Sequence, residues 1–113
     1  METQQYLDIR PSPIAGTWYP GEPTELRELI ESFLQAAKTP QVQGEILGVI
    51  VPHAGIIYSG FTAAHAFKAL IGKDYHRVIA LSPSHQYYRE PLLTTGHEAY
   101  ATPLGLVPVD RKA

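Results

Sequence analysis

No cysteine occurs among the 113 residues. That rules out a disulfide framework and any thiolate ligand or nucleophile supplied by this chain. Neither sign of charge dominates: nine Lys and Arg face eleven Asp and Glu, a net charge of −2. There is therefore no basic field for nucleic acid and no acidic tail. No apolar run approaches the ~20 residues that span a bilayer, and Met1 to Arg10 is polar, without the apolar stretch of a signal peptide. Repeats and low-complexity tracts are missing too. The default expectation is a soluble cytoplasmic protein with neither nucleic acid nor membrane as a partner. Its length suits one domain and not two, a domain able to bury roughly 65% of its unfolded surface.

Proline and glycine, by contrast, are plentiful, at ten and nine residues. Pro11, Pro13, Pro20 and Pro23 make residues 1–23 an extended, turn-rich arm, leaving 24–113 as an α/β body. Thr24 is placed to cap a helix in which Leu26, Leu29, Ile30, Phe33, Leu34 and Ala37 recur at three- and four-residue spacing. Glu22, Glu25 and Glu28 lie near its start, where the helix dipole favours them, and Pro40 stops it. Ile46 to Val51 reads as a strand buried on both faces. Residues 54–60, with Gly55 and Gly60, read as a loop, followed by a second helical segment from Phe61 to Gly72. Arg77 to Leu81 reads as a second buried strand. Strand, crossover of about 25 residues and parallel strand make a βαβ unit. Leu92–Thr95 and Leu106–Val109 are shorter apolar stretches, suited to edge strands around a flap-like excursion at 100–105.

Both buried runs end in proline and then histidine: Val51-Pro52-His53 and Leu81-Ser82-Pro83-Ser84-His85. Carboxyl ends of parallel strands are where α/β sheets collect ligands. Neighbouring strands lie about 4.8 Å apart, so two imidazoles from adjacent strand ends can converge on one ion, at roughly 2.0–2.1 Å per nitrogen for zinc. Imidazole suits zinc, copper, iron and nickel alike. Against this stands the plain alternative of two loop histidines bonded to backbone. Two ligands do not close a site, and Glu90, Glu98 and Asp110 show no ligand spacing.

Other residues carry less. His65 reads as a packed residue of the second helix, His76 as a solvated loop residue, and His97, after Gly96, as exposed in a turn. Ser59 and Ser84 lack a nucleophile elbow, and Gly72-Lys73-Asp74 lacks the rest of a phosphate-binding loop. Trp18, Tyr19, Tyr58, Tyr87 and Tyr88 gather near the same edge, with Ser84 among them. Small-molecule and peptide clefts are commonly built in this way, although Trp18 could equally anchor the arm to the core.

Five motifs then stand in a recognisable order: Gly16-Thr17-Trp18-Tyr19-Pro20; Pro52-His53-Ala54-Gly55 with Tyr58-Ser59-Gly60; Ala63-Ala64-His65-Ala66-Phe67; Ser82-Pro83-Ser84-His85; and Tyr100-Ala101-Thr102-Pro103-Leu104-Gly105. Together they resemble the Memo family (mediator of cell motility and its bacterial and archaeal relatives), over what looks like the first half of its domain. The resemblance implies a three-layer α/β/α fold with a mainly parallel central sheet, similar to class III extradiol dioxygenases and incomplete in this chain. By motif, His53 and His85 fall on the family's two histidine metal ligands, and Trp18 on a cleft-lining position. The family's third ligand, commonly a cysteine, has no counterpart. Animal members are described as binding copper or iron and docking phosphotyrosine peptides. Prokaryotic members are associated with a radical-SAM-type protein.

Two functions follow as expectations. One is an iron- or copper-dependent oxidoreductase, with zinc as the other candidate metal, held by His53 and His85 and acting on an unknown small molecule. The other is a non-catalytic module holding a peptide or partner in an aromatic cleft of Trp18, Tyr58 and Ser84. If the polypeptide ends at Ala113, an open sheet edge invites self-association.

Overall fold

The computed structural model describes residues 4–113; residues 1–3 of the expected arm lie outside the described part. In chain order it comprises β1 (Ile9–Arg10), α1 (Pro23–Ala36), α2 (Ile56–Lys68), β2 (Ala99–Thr102) and β3 (Gly105–Pro108). The architecture is a mixed α/β one, with a helix pair beside a three-stranded sheet of order β1-β2-β3.

The first helix follows its periodicity, but its cap is not Thr24. Glu22 caps it, its carboxylate accepting from the Glu25 N–H at 3.1 Å. Pro23 takes the first helical position, where its fixed φ fits and its missing N–H costs nothing. At the other end, Lys68 of α2 donates to the Ala37 carbonyl at 2.7 Å, putting a cation on carbonyls the helix leaves unpaired.

The second helix starts a turn earlier than glycine punctuation implies. Gly55 is its N-cap, and the Ile56 N–H donates to the Trp18 carbonyl at 3.2 Å. A backbone carbonyl from the arm thus does what a capping side chain usually does. Gly60 is not a loop residue but lies within the helix. A Cβ there would sit 3.0 Å from Phe33 Cε2 and 2.8 Å from Ile56 Cγ2. Glycine at this position lets α1 and α2 approach closely, which offsets its roughly 1 kcal/mol helix penalty.

The arm also contributes a strand. β1 pairs parallel with β2, Ile9 opposite Ala99 and Arg10 opposite Tyr100. β2 and β3 form an antiparallel hairpin, Ala99 opposite Pro108 through Thr102 opposite Gly105. The excursion at 100–105 is thus this hairpin and its turn. Thr102 Oγ1 donates to the Gly105 carbonyl (2.8 Å) and accepts from the Leu104 N–H (3.1 Å), while Gly105 adopts φ 128°, a region that favours glycine. Leu92–Thr95 forms no strand.

The largest departure concerns the two apolar runs. Residues 46–51 and 77–81 carry no strand ladder among the described residues. They do line a shared gap of about 220 Å³, with Leu47 and Val49 from one run and Val78 and Ile79 from the other. Their side chains stand in the open: Leu47 is 92% exposed, Ile50 100% and Leu81 83%. Parallel strands are stable only with both faces covered, and neither run has that cover. Among the described residues the buried apolar ones are Leu26, Ala37, Ala63, Ala64 and Ala99.

Beyond the strands, Arg77 is tied to Asp110, Nε at 2.8 Å and Nη2 at 2.7 Å from the same carboxylate oxygen. The hydrogen bond from Arg77, and then the Lys112 backbone N–H, hold the Asp110 carboxyl below its ordinary value of 3.8. A depressed carboxylate stabilises the fold above its unfolded value and loses that contribution as pH falls through the folded one. An NMR titration of the Asp110 carboxyl is expected to give a midpoint below 3.8, rising towards it in Arg77→Ala. An unchanged midpoint in that variant would remove Arg77 as the cause.

Candidate metal and ligand site

His53 and His85 are brought together by the ends of the two apolar runs. Their ring centres lie 5.3 Å apart with planes inclined at 37°. Two imidazoles sharing an ion at ~2.0–2.1 Å per nitrogen, at angles between square and tetrahedral, place their centres roughly 4.5–5.2 Å apart. The observed spacing is therefore that of rings around a common ion, within a small adjustment. It is also within the range of a simple ring–ring contact. Both residues are exposed, and neither ring nitrogen hydrogen-bonds to protein among the described residues. The nitrogens are free to ligate.

Locally, the prolines explain the placement. Pro52 and Pro83 fix their own φ and hold the preceding residue extended just before each histidine. The Ser84 hydroxyl donates to the Gln86 carbonyl at 3.0 Å, bracketing His85 in a short turn. On the other side, Ser59 Oγ donates to the Ala54 carbonyl at 3.1 Å, tying the residue after His53 to the first turn of α2. Among the described residues no third His, Cys, Asp or Glu joins the pair. Glu98 is engaged elsewhere, its Oε2 accepting from the backbone N–H groups of Leu7 (2.6 Å) and Asp8 (3.1 Å), and Asp110 is held by Arg77.

Trp18 and Tyr58 both border Gly55. A Cβ on that glycine would lie 3.1 Å from the Trp18 carbonyl oxygen, 3.7 Å from its ring and 3.5 Å from Tyr58 Cδ2. The tryptophan stands on a turn in which the Thr17 and Trp18 N–H groups donate to the Ile14 carbonyl (3.1 and 3.0 Å) and Gly16 takes φ 86°. Trp18 is 54% and Tyr58 87% exposed, so the two present an open aromatic ledge two residues from His53. Trp18 also anchors the arm, through its carbonyl. Ser84 faces elsewhere. It lines a cleft of about 780 Å³ with Arg10, Tyr88, His97 and Tyr100, to which neither His53 nor His85, Trp18 nor Tyr58 contributes.

That second cleft contains what local sequence patterns miss. His97 is half-buried rather than exposed, and its Nδ1 donates to Asp8 Oδ1 at 2.7 Å. Arg10 lies over the Tyr100 ring, 5.0 Å from its centre, a cation–π arrangement. Each pair joins residues about ninety positions apart, and no local signal marks either. His65 is packed as expected, donating to the Phe61 carbonyl at 2.9 Å against the Phe61 ring.

Comparison with known proteins adds kinship. A family model described as "Memo-like protein" matches residues 10–113. A "MEMO1 family protein" of Nitrosopumilus maritimus is 43% identical over 109 residues, covering 93% of this chain and 40% of that protein. "Protein MEMO1" of Danio rerio is 35% identical, covering 87% of this chain and 32% of its own length. "MEMO1 family protein MHO1" of Saccharomyces cerevisiae is 33% identical, at 92% and 31%. The chain thus spans about a third to two fifths of the curated relatives it matches.

Proposed function

The chain belongs to the Memo family, and we propose that it contributes the two-histidine part of a transition-metal site, holding iron or copper through His53 and His85, in an oxidoreductase of that family. The observation that carries this reading is the 5.3 Å separation of two exposed imidazoles whose nitrogens have no hydrogen-bond partner among the described residues. Neutral imidazole is a strong donor for iron, copper and zinc. A bound redox metal supplies one-electron chemistry and an open position for a substrate oxygen. The chain's own contribution is positional: Pro52 and Pro83 end the runs, Ser59 and Ser84 fix the turns beside the histidines, and Trp18 with Tyr58 gives an apolar ledge for a substrate. In the complete domain, the two apolar runs would pair as parallel strands of a three-layer α/β/α sheet similar to that of class III extradiol dioxygenases.

Metal titration followed by equilibrium dialysis tests the site without relying on turnover. Each of His53→Ala and His85→Ala is expected to weaken iron(II) or copper(II) binding at least tenfold, and the double variant to abolish it. Metal retained equally by the parent and the double variant would end the proposal.

The aromatic ledge favours a second reading, in which the surface around Gly55 docks a peptide and no chemistry follows. Phosphotyrosine-containing and plain peptides titrated against Trp18, the only tryptophan, separate the two. Binding undiminished in the double histidine variant supports a docking module. No fluorescence response to any peptide argues against it.

A further inference from the structure

Residues 12–21 form a loop bonded chiefly to itself. The Ala15 N–H donates to the Ser12 carbonyl (3.3 Å), the Thr17 and Trp18 N–H groups to the Ile14 carbonyl, and the Gly16 N–H to the Tyr19 carbonyl at 2.8 Å. The Thr17 hydroxyl donates to the Ile14 carbonyl as well, at 2.9 Å. A hydrogen bond between the Ser12 and Tyr19 hydroxyls ties the start of the loop to its end, and both residues are half-buried. Gly21 closes the same turn, since a Cβ there would lie 3.2 Å from the Gly16 nitrogen. Pro11, Pro13 and Pro20 stiffen the loop and its approaches. On one side this bracket is rooted in the sheet, through β1 on β2. On the other, its Trp18 carbonyl accepts from the Ile56 N–H at 3.2 Å.

That bond lands three residues after His53. Beyond the hydrogen bonds of the helix backbone itself, the segment from His53 to Ile56 has two such ties among the described residues: this one, and the Ser59 hydroxyl on the Ala54 carbonyl. Ser59 belongs to α2 and moves with it. The Trp18 carbonyl alone refers the segment to a separate part of the fold. Gly55 is fitted to this contact. Its φ −50° and ψ 146° are open to any residue, so torsion does not require glycine. A Cβ, however, would stand 3.1 Å from the Trp18 carbonyl oxygen.

We propose that Ser12 and Tyr19 are positioning residues for His53, acting through the closed loop and the Trp18 carbonyl without touching a ligand themselves. The consequence for metal affinity rests on the two-histidine reading; the placement of His53 is measurable without metal. Groups hydrogen-bonded to a metal ligand typically change affinity by roughly 10–100-fold when removed, and groups acting at one further remove change it less.

The test compares copper(II) affinity and the copper electron paramagnetic resonance spectrum with two NMR readings of the metal-free chain: the Overhauser effect between the His53 and His85 rings, and exchange of the Ile56 amide. Tyr19→Phe and Ser12→Ala are each expected to weaken copper(II) binding at least threefold, broaden the copper hyperfine pattern, halve the ring–ring effect and speed Ile56 exchange at least tenfold. Because both remove the same bond, the double variant is expected to do no more than either alone. Ser12→Thr keeps the hydroxyl and should behave as the parent. Gly55→Ala should reproduce the loss from the helix side, whereas Trp18→Phe, which retains the carbonyl, should leave Ile56 exchange within twofold. Parental exchange and ring contact in Tyr19→Phe would overturn the inference whether or not the chain binds copper. Copper retained by His53→Ala with His85→Ala would instead remove the metal reading, and the ring contact in Tyr19→Phe would then decide alone. Loss of α2 helicity in both hydroxyl variants would overturn the inference in favour of a loop that merely supports the fold.

Discussion

Ala99→Asp is expected to dissolve the three-stranded sheet while leaving the helix pair in place. Ala99 is completely buried and occupies β2, the middle strand, flanked by Ile9 on one side and Pro108 on the other. A carboxylate forced into that position loses its water and finds no cation on either neighbour, a situation that costs about 3–5 kcal/mol. A two-residue β1 has little to set against it. Neither helix packs directly on the sheet among the described residues; contacts between elements join β1 to β2, β2 to β3 and α1 to α2. Amide exchange should therefore show protection lost at Arg10 and across 99–108, with α1 and α2 nearly unchanged. Cooperative loss of helix and sheet together would show coupling that these contacts do not provide. Because the sheet also holds Arg10, His97 and Tyr100 along the larger cleft, any ligand of that cleft should be lost with it.

Gly60→Val attacks the other half of the molecule. Its Cβ would meet the Phe33 ring at 3.0–3.1 Å and Ile56 Cγ2 at 2.8 Å, and the two further methyl groups extend the overlap. Overpacking of this kind costs about 1–3 kcal/mol, only partly offset by the better helix propensity of any residue over glycine. Helical circular dichroism is expected to melt roughly 5–15 °C below the parent. The same helix carries Gly55 at its N-terminus against Trp18, so the Trp18 emission should shift to the red at lower temperature as well. Gly60→Ala is the informative control, since its single Cβ gains propensity and forces only the movable Ile56 and Phe33 side chains aside. A melting temperature for Gly60→Val at or above the parent would show that α1 and α2 have slack the geometry does not reveal.

How much of this was legible without coordinates depends on the range of the interaction. The α1 periodicity is a local property, set by which side chains fall on one helical face, and Leu26, Phe33 and Ala37 lie where it puts them. The start of α2 was not legible, because Gly55 and Gly60 carry the marks of a loop. Only the neighbouring Trp18 carbonyl and Phe33 ring reveal that they serve a helix. The repeated Pro–His after two apolar runs could be read directly, and the rings of residues 53 and 85 lie 5.3 Å apart. Apolar character of the runs themselves was also plain, whereas their pairing was not, since a parallel ladder needs cover from other polypeptide.

Composition, periodicity and motif order alone give the absence of thiol chemistry, the near-neutral charge, a first helix carrying Leu26 to Leu34 on one face, and the kinship. Those are facts of residue identity and short spacing. Contacts across the chain decide the rest: the arm as strand β1, His97 bound to Asp8, glycine as the close-packing residue at position 60, and two apolar runs left open. Backbone pairing and burial join residues far apart along the chain, and such energies exist only once the polypeptide has folded back upon itself.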